Sequence, residues 1–139
     1  MNDKVFVDTN ILIYAYDKDA GIKREKAVAV LLDLWNTKRG ALSTQVLQEF
    51  YVNVTRKNSH PLGKQVARDI IERYAVWSVV TIDPNLVLRA SRIEEDHRLS
   101  FWDALIVAAA EKAEAKSILS EDLNSGQRIG TVRIENPLL

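Results

Sequence analysis

Near its start the chain reads Val5-Phe6-Val7-Asp8-Thr9-Asn10-Ile11-Leu12. Val5 to Val7 is a short apolar run of β-favouring residues and predicts a strand, whereas 9–17 carries apolar residues at a spacing that predicts a short helix. The residue at the junction is an acid, Asp8. In parallel α/β sheets, ligands bind in the crevice beyond the carboxyl ends of the strands. We therefore expect Asp8 to face such a crevice.

The remainder of the chain repeats this alternation of short apolar runs and longer helical patterns. Such an alternation is typical of an α/β domain with a mostly parallel sheet. We expect Gly40 to end the second helix and residues 124–130 to form a polar loop. The pattern predicts further helices at 22–38, 45–57, 64–74, from Asp83-Pro84 onward and at 101–115, and further strands at 41–43, 78–82, 117–119 and 131–134.

Length and composition narrow the class of protein. The chain has 139 residues and 47% apolar residues, which suits one domain, 1–139, with a real core. Charged residues interrupt every apolar run, so no membrane span is expected, and the first residues lack the pattern of a signal peptide. With no cysteine, disulfides and thiolate metal sites are excluded. We expect a cytoplasmic protein.

The formal net charge is zero. This argues against a protein that coats nucleic acid by charge alone. It leaves open an enzyme that acts on nucleic acid, because an acidic active site offsets basic residues elsewhere in the count.

Two acids occupy positions where burial is expected. Asp8 ends a strand, although it could equally act as the N-cap of the following helix. Asp103 lies in the segment 101–110, which is apolar on nearly all sides and should be buried. An unpaired carboxylate there would cost several kcal/mol or become neutral. The alternative is capping, since Ser100 and Asp103 have the spacing of a capping box. The functional interpretation makes Asp103 a metal ligand.

Two further acids, Glu49 and Asp122, are candidates for the site only together with Asp8 and Asp103. Glu49 borders the apolar face of its predicted helix, a position where a half-exposed side chain is the ordinary finding. Asp122 follows the strand 117–119 and could be an ordinary turn residue. Strand ends of a parallel sheet converge on one edge, however, so Asp8 and Asp122 should share that edge, with the start of the helix that carries Asp103 facing it.

Clustered carboxylates repel one another unless a cation is present. Magnesium and manganese prefer oxygen ligands and keep several waters. One or two such ions can bind a scissile phosphate and activate water. Zinc is not expected, because the two histidines, His60 and His97, form no ligand pair at short spacing. These residues predict a metal-dependent nuclease.

Four stretches together resemble the motifs of PIN domains, and in particular of VapC-type toxins. The stretches are Val7-Asp8-Thr9-Asn10-Ile11-Leu12, Ser43-Thr44-Gln45-Val46-Leu47-Gln48-Glu49-Phe50, Leu99-Ser100-Phe101-Trp102-Asp103-Ala104 and Leu119-Ser120-Glu121-Asp122-Leu123. They occur in the family's order and extend over nearly the whole chain. The resemblance implies a three-layer α/β/α fold with a central, mostly parallel sheet.

The resemblance also implies an activity and a set of roles. It implies a magnesium- or manganese-dependent endoribonuclease in which Asp8 and Asp103 are the core metal ligands. Glu49 and Asp122 would complete the acidic pocket, directly or through water, and Asn10 and Ser120 match polar positions that line it. Members of this family often form dimers and are held inactive by an antitoxin protein, so we expect an RNA substrate, a cognate antitoxin and a homodimer.

Two other classes of function remain open from the sequence. Asp8 after a strand resembles the nucleophile of HAD-like phosphatases, although these need a second Asp two residues later, where this chain has Asn10. The chain could also be a PIN-like module that binds RNA or protein without catalysis. Retaining four costly carboxylates argues against that last reading.

Overall fold

The computed structural model describes residues 3–139. The elements follow one another as β1 Lys4–Val7, α1 Thr9–Ala15, α2 Ile22–Thr37, β2 Gly40–Ser43, α3 Thr44–Val52, a π-helical turn Asn53–Lys57, α4 Lys64–Tyr74, β3 Ser78–Val80, α5 Pro84–His97, α6 Phe101–Lys112, β4 Ala115–Leu119, β5 Arg128–Ile129 and β6 Val132–Glu135.

A six-stranded sheet in the order β3-β2-β1-β4-β6-β5 forms the centre of the molecule. Every neighbouring pair is parallel except β5 and β6. The central strand β1 is buried from Val5 to Val7, because both of its faces are covered. Helix α6 packs on α5 and reaches β2, β4 and β6, while α1 packs on α2. The predicted three-layer α/β/α arrangement is confirmed.

Helix α6 supplies the most continuous part of the core. All seven residues from Ala104 to Ala110 are buried, as its apolar sequence predicts. Ser100 caps the helix, because its hydroxyl accepts a hydrogen bond of 3.1 Å from the backbone N–H of Asp103. No helix within residues 3–139 is long and apolar enough to cross a membrane.

The structure corrects the sequence prediction at several element ends. Helix α2 ends at Thr37 with Lys38 in the left-handed conformation, and Gly40 opens β2 instead of stopping the helix. Helix α6 ends at Lys112, and Glu114 at φ 60° turns the chain so that Ala115 already starts β4. Strand β3 ends at Val80, two residues before the predicted end.

Two further predictions missed local structure. The loop predicted at 124–130 contains β5, which pairs with β6 through a tight turn with Gly130 at φ 59°. The helix predicted at 45–57 is α-helical only to Val52. After Val52, the side-chain amide of Asn53 donates a hydrogen bond to the backbone carbonyl of Glu49 at 2.8 Å. The Thr55 hydroxyl donates to the backbone carbonyl of Tyr51 at 2.7 Å. These side chains compete with the α-helical ladder, and the last turn is π-helical.

Candidate active site

The carboxyl ends of β1 and β4 meet at one edge of the sheet. The two strands are parallel neighbours, with Val7 opposite Leu119, and the residues that follow them are Asp8 and Ser120. The backbone N–H of Asp8 donates to the carbonyl of Leu119 at 2.9 Å. The two strand ends are therefore fixed against each other where the sequence predicts a crevice.

Asp8 is the most deeply buried of the four acids, with 6% of its surface exposed. It is the N-cap of α1: Oδ1 accepts from the Thr9 N–H at 2.7 Å, and Oδ2 accepts from the Ser120 hydroxyl at 2.8 Å. Burial raises the pKa of Asp8 from 3.8 to about 6. The two hydrogen bonds oppose that rise, and the negative charges of Glu49 and Asp122 add to it.

Glu49 is joined to the end of β1 by a single side chain. The hydroxyl of Thr9, the residue after Asp8, donates to Glu49 Oε1 at 2.6 Å. Glu49 lies on α3, whose N-cap is Ser43 at the end of β2. Thus two neighbouring strands each deliver one acid to the same edge of the sheet, and Thr9 sets the position of Glu49 relative to Asp8.

Asp122 lies in a short loop that Ser120 organises. The fully buried Ser120 hydroxyl accepts from the backbone N–H groups of Asp122 and Leu123, at 3.2 and 3.4 Å. The Asn10 amide N–H donates to Asp122 Oδ2 at 3.0 Å, and its amide oxygen accepts from the N–H of Glu121 at 3.3 Å. Asp122 itself is exposed. Asn10 therefore connects two motifs that are 112 residues apart.

Glu121 secures the same loop from its other side. It accepts a hydrogen bond of 2.5 Å from the Tyr14 hydroxyl and forms an ion pair of 2.6 Å with Lys23. The Lys23 ammonium and the Tyr14 hydroxyl lower the pKa of Glu121. These contacts tie the loop to α1 and α2, so Glu121 holds its neighbour Asp122 in place and does not itself line the cleft.

Asp103 enters the site from the first turn of α6. It is half-buried, and its carboxylate makes no hydrogen bond to any residue within 3–139. The expectation of a carboxylate enclosed by an apolar helix is wrong for Asp103, because the enclosed part of α6 begins at Ala104. The deeply buried acid is Asp8.

One cleft of about 480 Å³ collects the four acids. Asn10 lines it as well, whereas Ser120 lies beneath Asp8, fully buried. Sequence reasoning missed several lining residues, of which Thr9, Gln45, Lys57 and Trp102 are the most distinctive. Thr9 and Trp102 each adjoin a predicted acid, a signal that could have identified them. Lys57 belongs to the basic pair Arg56-Lys57, but nothing in the sequence places that pair at the cleft.

The donor set fits a hard divalent cation, although no three His, Cys, Asp or Glu side chains in the described chain are grouped closely enough to hold an ion by themselves. Magnesium commonly binds through only one or two carboxylates together with water and substrate phosphate. Asp8 is buried near other acids, with no cation paired to it among the described residues. Asp103 has an unengaged carboxylate. Both observations fit a cation bound in the cleft.

A cleft lined by carboxylates at the strand ends of a parallel sheet belongs to a class of site that can bind a phosphate group through a metal cation. The chain belongs to the PIN domain family, whose sequence profile matches residues 5–127. The resemblance drawn from the four motifs is thus confirmed at the level of the family. No curated protein matches the chain in sequence.

Solved structures of toxin–antitoxin proteins share this fold. VapC20 of Mycobacterium tuberculosis, a toxin that cleaves the sarcin–ricin loop, is 23% identical, with a TM-score of 0.64 over 86% of this chain and 90% of that one. A toxin–antitoxin complex from Klebsiella pneumoniae is 19% identical, with a TM-score of 0.69 over 93% and 95%. DNA-bound VapBC from Salmonella typhimurium is 19% identical, with a TM-score of 0.65 over 96% and 98%.

Proposed function

We propose that this protein is a magnesium- or manganese-dependent endoribonuclease and the toxin of a VapBC-type pair. The observation that carries the proposal is the convergence of Asp8, Glu49, Asp103 and Asp122 on one cleft. Membership of the PIN family and the likeness to VapC20, which cleaves RNA, support it. The family match gives no support to the HAD-like phosphatase considered from the sequence.

We infer the roles of the four acids from their surroundings. Asp8 is oriented by hydrogen bonds to both oxygens, and Asp103 has a free carboxylate, so these two would hold the ion. The ion would supply positive charge against the scissile phosphate. Glu49, held by Thr9, and Asp122, held by Asn10, would orient water in the cleft and accept a proton from it.

The proposed partners are RNA, a cognate antitoxin and a second copy of the chain. The Klebsiella and Salmonella neighbours are a toxin–antitoxin complex and DNA-bound VapBC, which supports an antitoxin for this chain. Co-expression with the product of a neighbouring reading frame should yield a complex in which RNA cleavage is suppressed. Cleavage undiminished in that complex would contradict the toxin assignment.

The catalytic proposal is tested with purified protein and a labelled RNA that has single-stranded and loop regions. We expect cleavage with magnesium or manganese and none with EDTA. Asp103→Asn should lose cleavage by at least about 100-fold, because one charge that holds the ion is removed. Asp96→Asn, an exposed acid on α5 outside the cleft, is the matched control and should cleave normally.

Three outcomes would reject the proposal in different ways. Activity that survives EDTA, or a folded and active Asp103→Asn, would reject the metal site. Release of phosphate from small esters would indicate a phosphatase. RNA binding by the unchanged protein without cleavage in any divalent metal would indicate a binding module.

A further inference from the structure

Trp102 is exposed at the rim of the catalytic cleft. Its exposed fraction is 62%, although it lies next to Asp103 in the first turn of α6. Of the large apolar side chains found exposed in the described chain, it alone lines the cleft. Most of the indole surface is open to solvent beside the carboxylates and is therefore available to a ligand.

The backbone at Trp102 is held firmly while its ring remains accessible. The Trp102 carbonyl accepts a hydrogen bond of 3.3 Å from the amide of Gln45, a buried residue of α3. The edge of one ring meets the face of the other in the Phe101–Trp102 pair, at a centroid distance of 5.3 Å and an interplanar angle of 80°. The indole is therefore pre-oriented without being covered, as a stacking platform requires.

Lys57 is the cation that lines the same cleft. It ends the π-helical turn Asn53–Lys57 and is exposed. Although four acids share the cleft with it, Lys57 forms no ion pair within 4.0 Å among residues 3–139. An ammonium group near carboxylates but unpaired with them is available to an incoming anion.

We propose that the rim of the cleft is a subsite for single-stranded RNA. The Trp102 indole stacks on a nucleobase next to the scissile phosphate, and the Lys57 ammonium contacts a phosphate of the same strand. This proposal rests on the proposed ribonuclease function and describes how the same site binds its RNA substrate. The cleft of about 480 Å³ admits a nucleotide, and every base offers a face to an aromatic ring.

The test measures RNA affinity directly, apart from catalysis. A short, fluorescently labelled single-stranded RNA of mixed sequence is titrated with protein in magnesium buffer. All proteins carry Asp103→Asn, so that the RNA is not cleaved during the measurement. Trp102→Ala should raise the Kd roughly 5- to 150-fold, the loss expected for one stacked base. Trp102→Tyr should retain most of the affinity. Leu88→Ala removes a side chain with the same exposed fraction, 62%, on α5 and should bind normally.

Two further measurements separate stacking and phosphate contact from other effects. On an oligomer of the same length with abasic sites, Trp102→Ala should change nothing, because there is no base to stack. Lys57→Gln should reduce the slope of log Kd against log salt by about 0.7, the value for one phosphate contact on a single strand. Arg56→Gln removes the same charge from the neighbouring exposed residue, which does not line the cleft, and should leave the slope unchanged.

The subsite is overturned if Trp102→Ala binds RNA as tightly as its parent or loses equal affinity for the abasic oligomer. It is also overturned if the substitution changes only the oligomeric state or antitoxin binding, in which case Trp102 belongs to a protein interface. Failure of the ribonuclease proposal gives a different result: the unchanged protein would cleave no RNA, while binding that depends on Trp102 persists. A parent protein that binds no single-stranded RNA rejects the subsite.

Discussion

Asp8 and Asp103 reach the cleft from different surroundings: Asp8 is buried at the end of β1, and Asp103 lies in the first turn of α6. Asp103 stands out in the sequence because an apolar helix surrounds it, yet its carboxylate reaches the cleft and is half-buried. Asp8 looks like an ordinary N-cap, and it is one. It is also 6% exposed, with a pKa raised to about 6. Capping and a functional role therefore coexist at one carboxylate.

Asp8→Asn should stabilise the metal-free protein at neutral pH. The folded protein holds a proton on Asp8 up to about pH 6, whereas the unfolded chain releases it near 3.8. Between these values the folded state binds more protons, so its stability falls as pH rises. A shift of this size corresponds to about 3 kcal/mol at neutral pH. It is an upper bound, because Asn has one acceptor oxygen in place of the two that accept from Thr9 and Ser120.

The measurement is urea unfolding in EDTA across this pH range. The difference in unfolding free energy between Asp8→Asn and the unchanged protein should be small near pH 4 and should grow toward pH 7. Asp96→Asn, on the exposed face of α5, should follow the unchanged protein throughout. Parallel stability curves for Asp8→Asn and the unchanged protein would show that burial of Asp8 has no electrostatic cost.

At the scale of elements, a close contact fixes the far edge of the sheet. Trp35, Tyr74 and Trp77 form an aromatic cluster with ring centroids 4.9 to 5.2 Å apart. Trp77 lies directly over Gly40, the first residue of β2. Glycine is needed there because a ring covers the position where a side chain would project, and not to end the preceding helix as the sequence suggested.

Gly40→Ala should destabilise the fold by about 2 kcal/mol. A Cβ at Gly40 would lie 2.2 Å from Trp77 Cε3, so the indole or the strand must move. Overpacking of this kind typically costs 1–3 kcal/mol. Thermal unfolding should show a clear fall in Tm. Gly63→Ala is the control, because nothing lies within 4 Å of its Cβ position and its φ of −63° suits alanine.

The cause is separable by a double-mutant cycle. In a Trp77→Val background, where the ring is gone, Gly40→Ala should cost much less than in the unchanged protein. An equal cost in both backgrounds would indicate backbone strain in β2 and would contradict the explanation by contact with Trp77.

At the scale of the whole molecule, the features that depend on local hydrophobic periodicity and on the positions of strand ends could be predicted from the sequence. The parallel sheet, the helix α6 and the common edge for Asp8 and Asp122 all follow from local patterns. The connections across the site do not. Asn10 to Asp122 and Thr9 to Glu49 join residues 112 and 40 positions apart, and such contacts depend on strand order and on how α3 packs. The cleft-lining places of Lys57 and Trp102 arise from the same packing.

The last prediction concerns the whole molecule, because a ligand that binds only the folded state stabilises all of it. Magnesium or manganese should raise the Tm of the unchanged protein. At a metal concentration one hundred times the Kd, binding should add about 2.7 kcal/mol to the free energy of unfolding. The rise should be larger above pH 6 than below it, since a proton on Asp8 competes with the ion.

Asp8→Asn should lose most of this metal-dependent rise, although it should be the more stable protein in EDTA. The difference in Tm between the two proteins should therefore become smaller or change sign when metal is added. Such a change would mean that the buried charge of Asp8 destabilises the metal-free protein and that a bound cation offsets this cost. Equal Tm shifts in both proteins would place metal binding elsewhere and would remove Asp8 from the proposed site, whatever the activity measurements show.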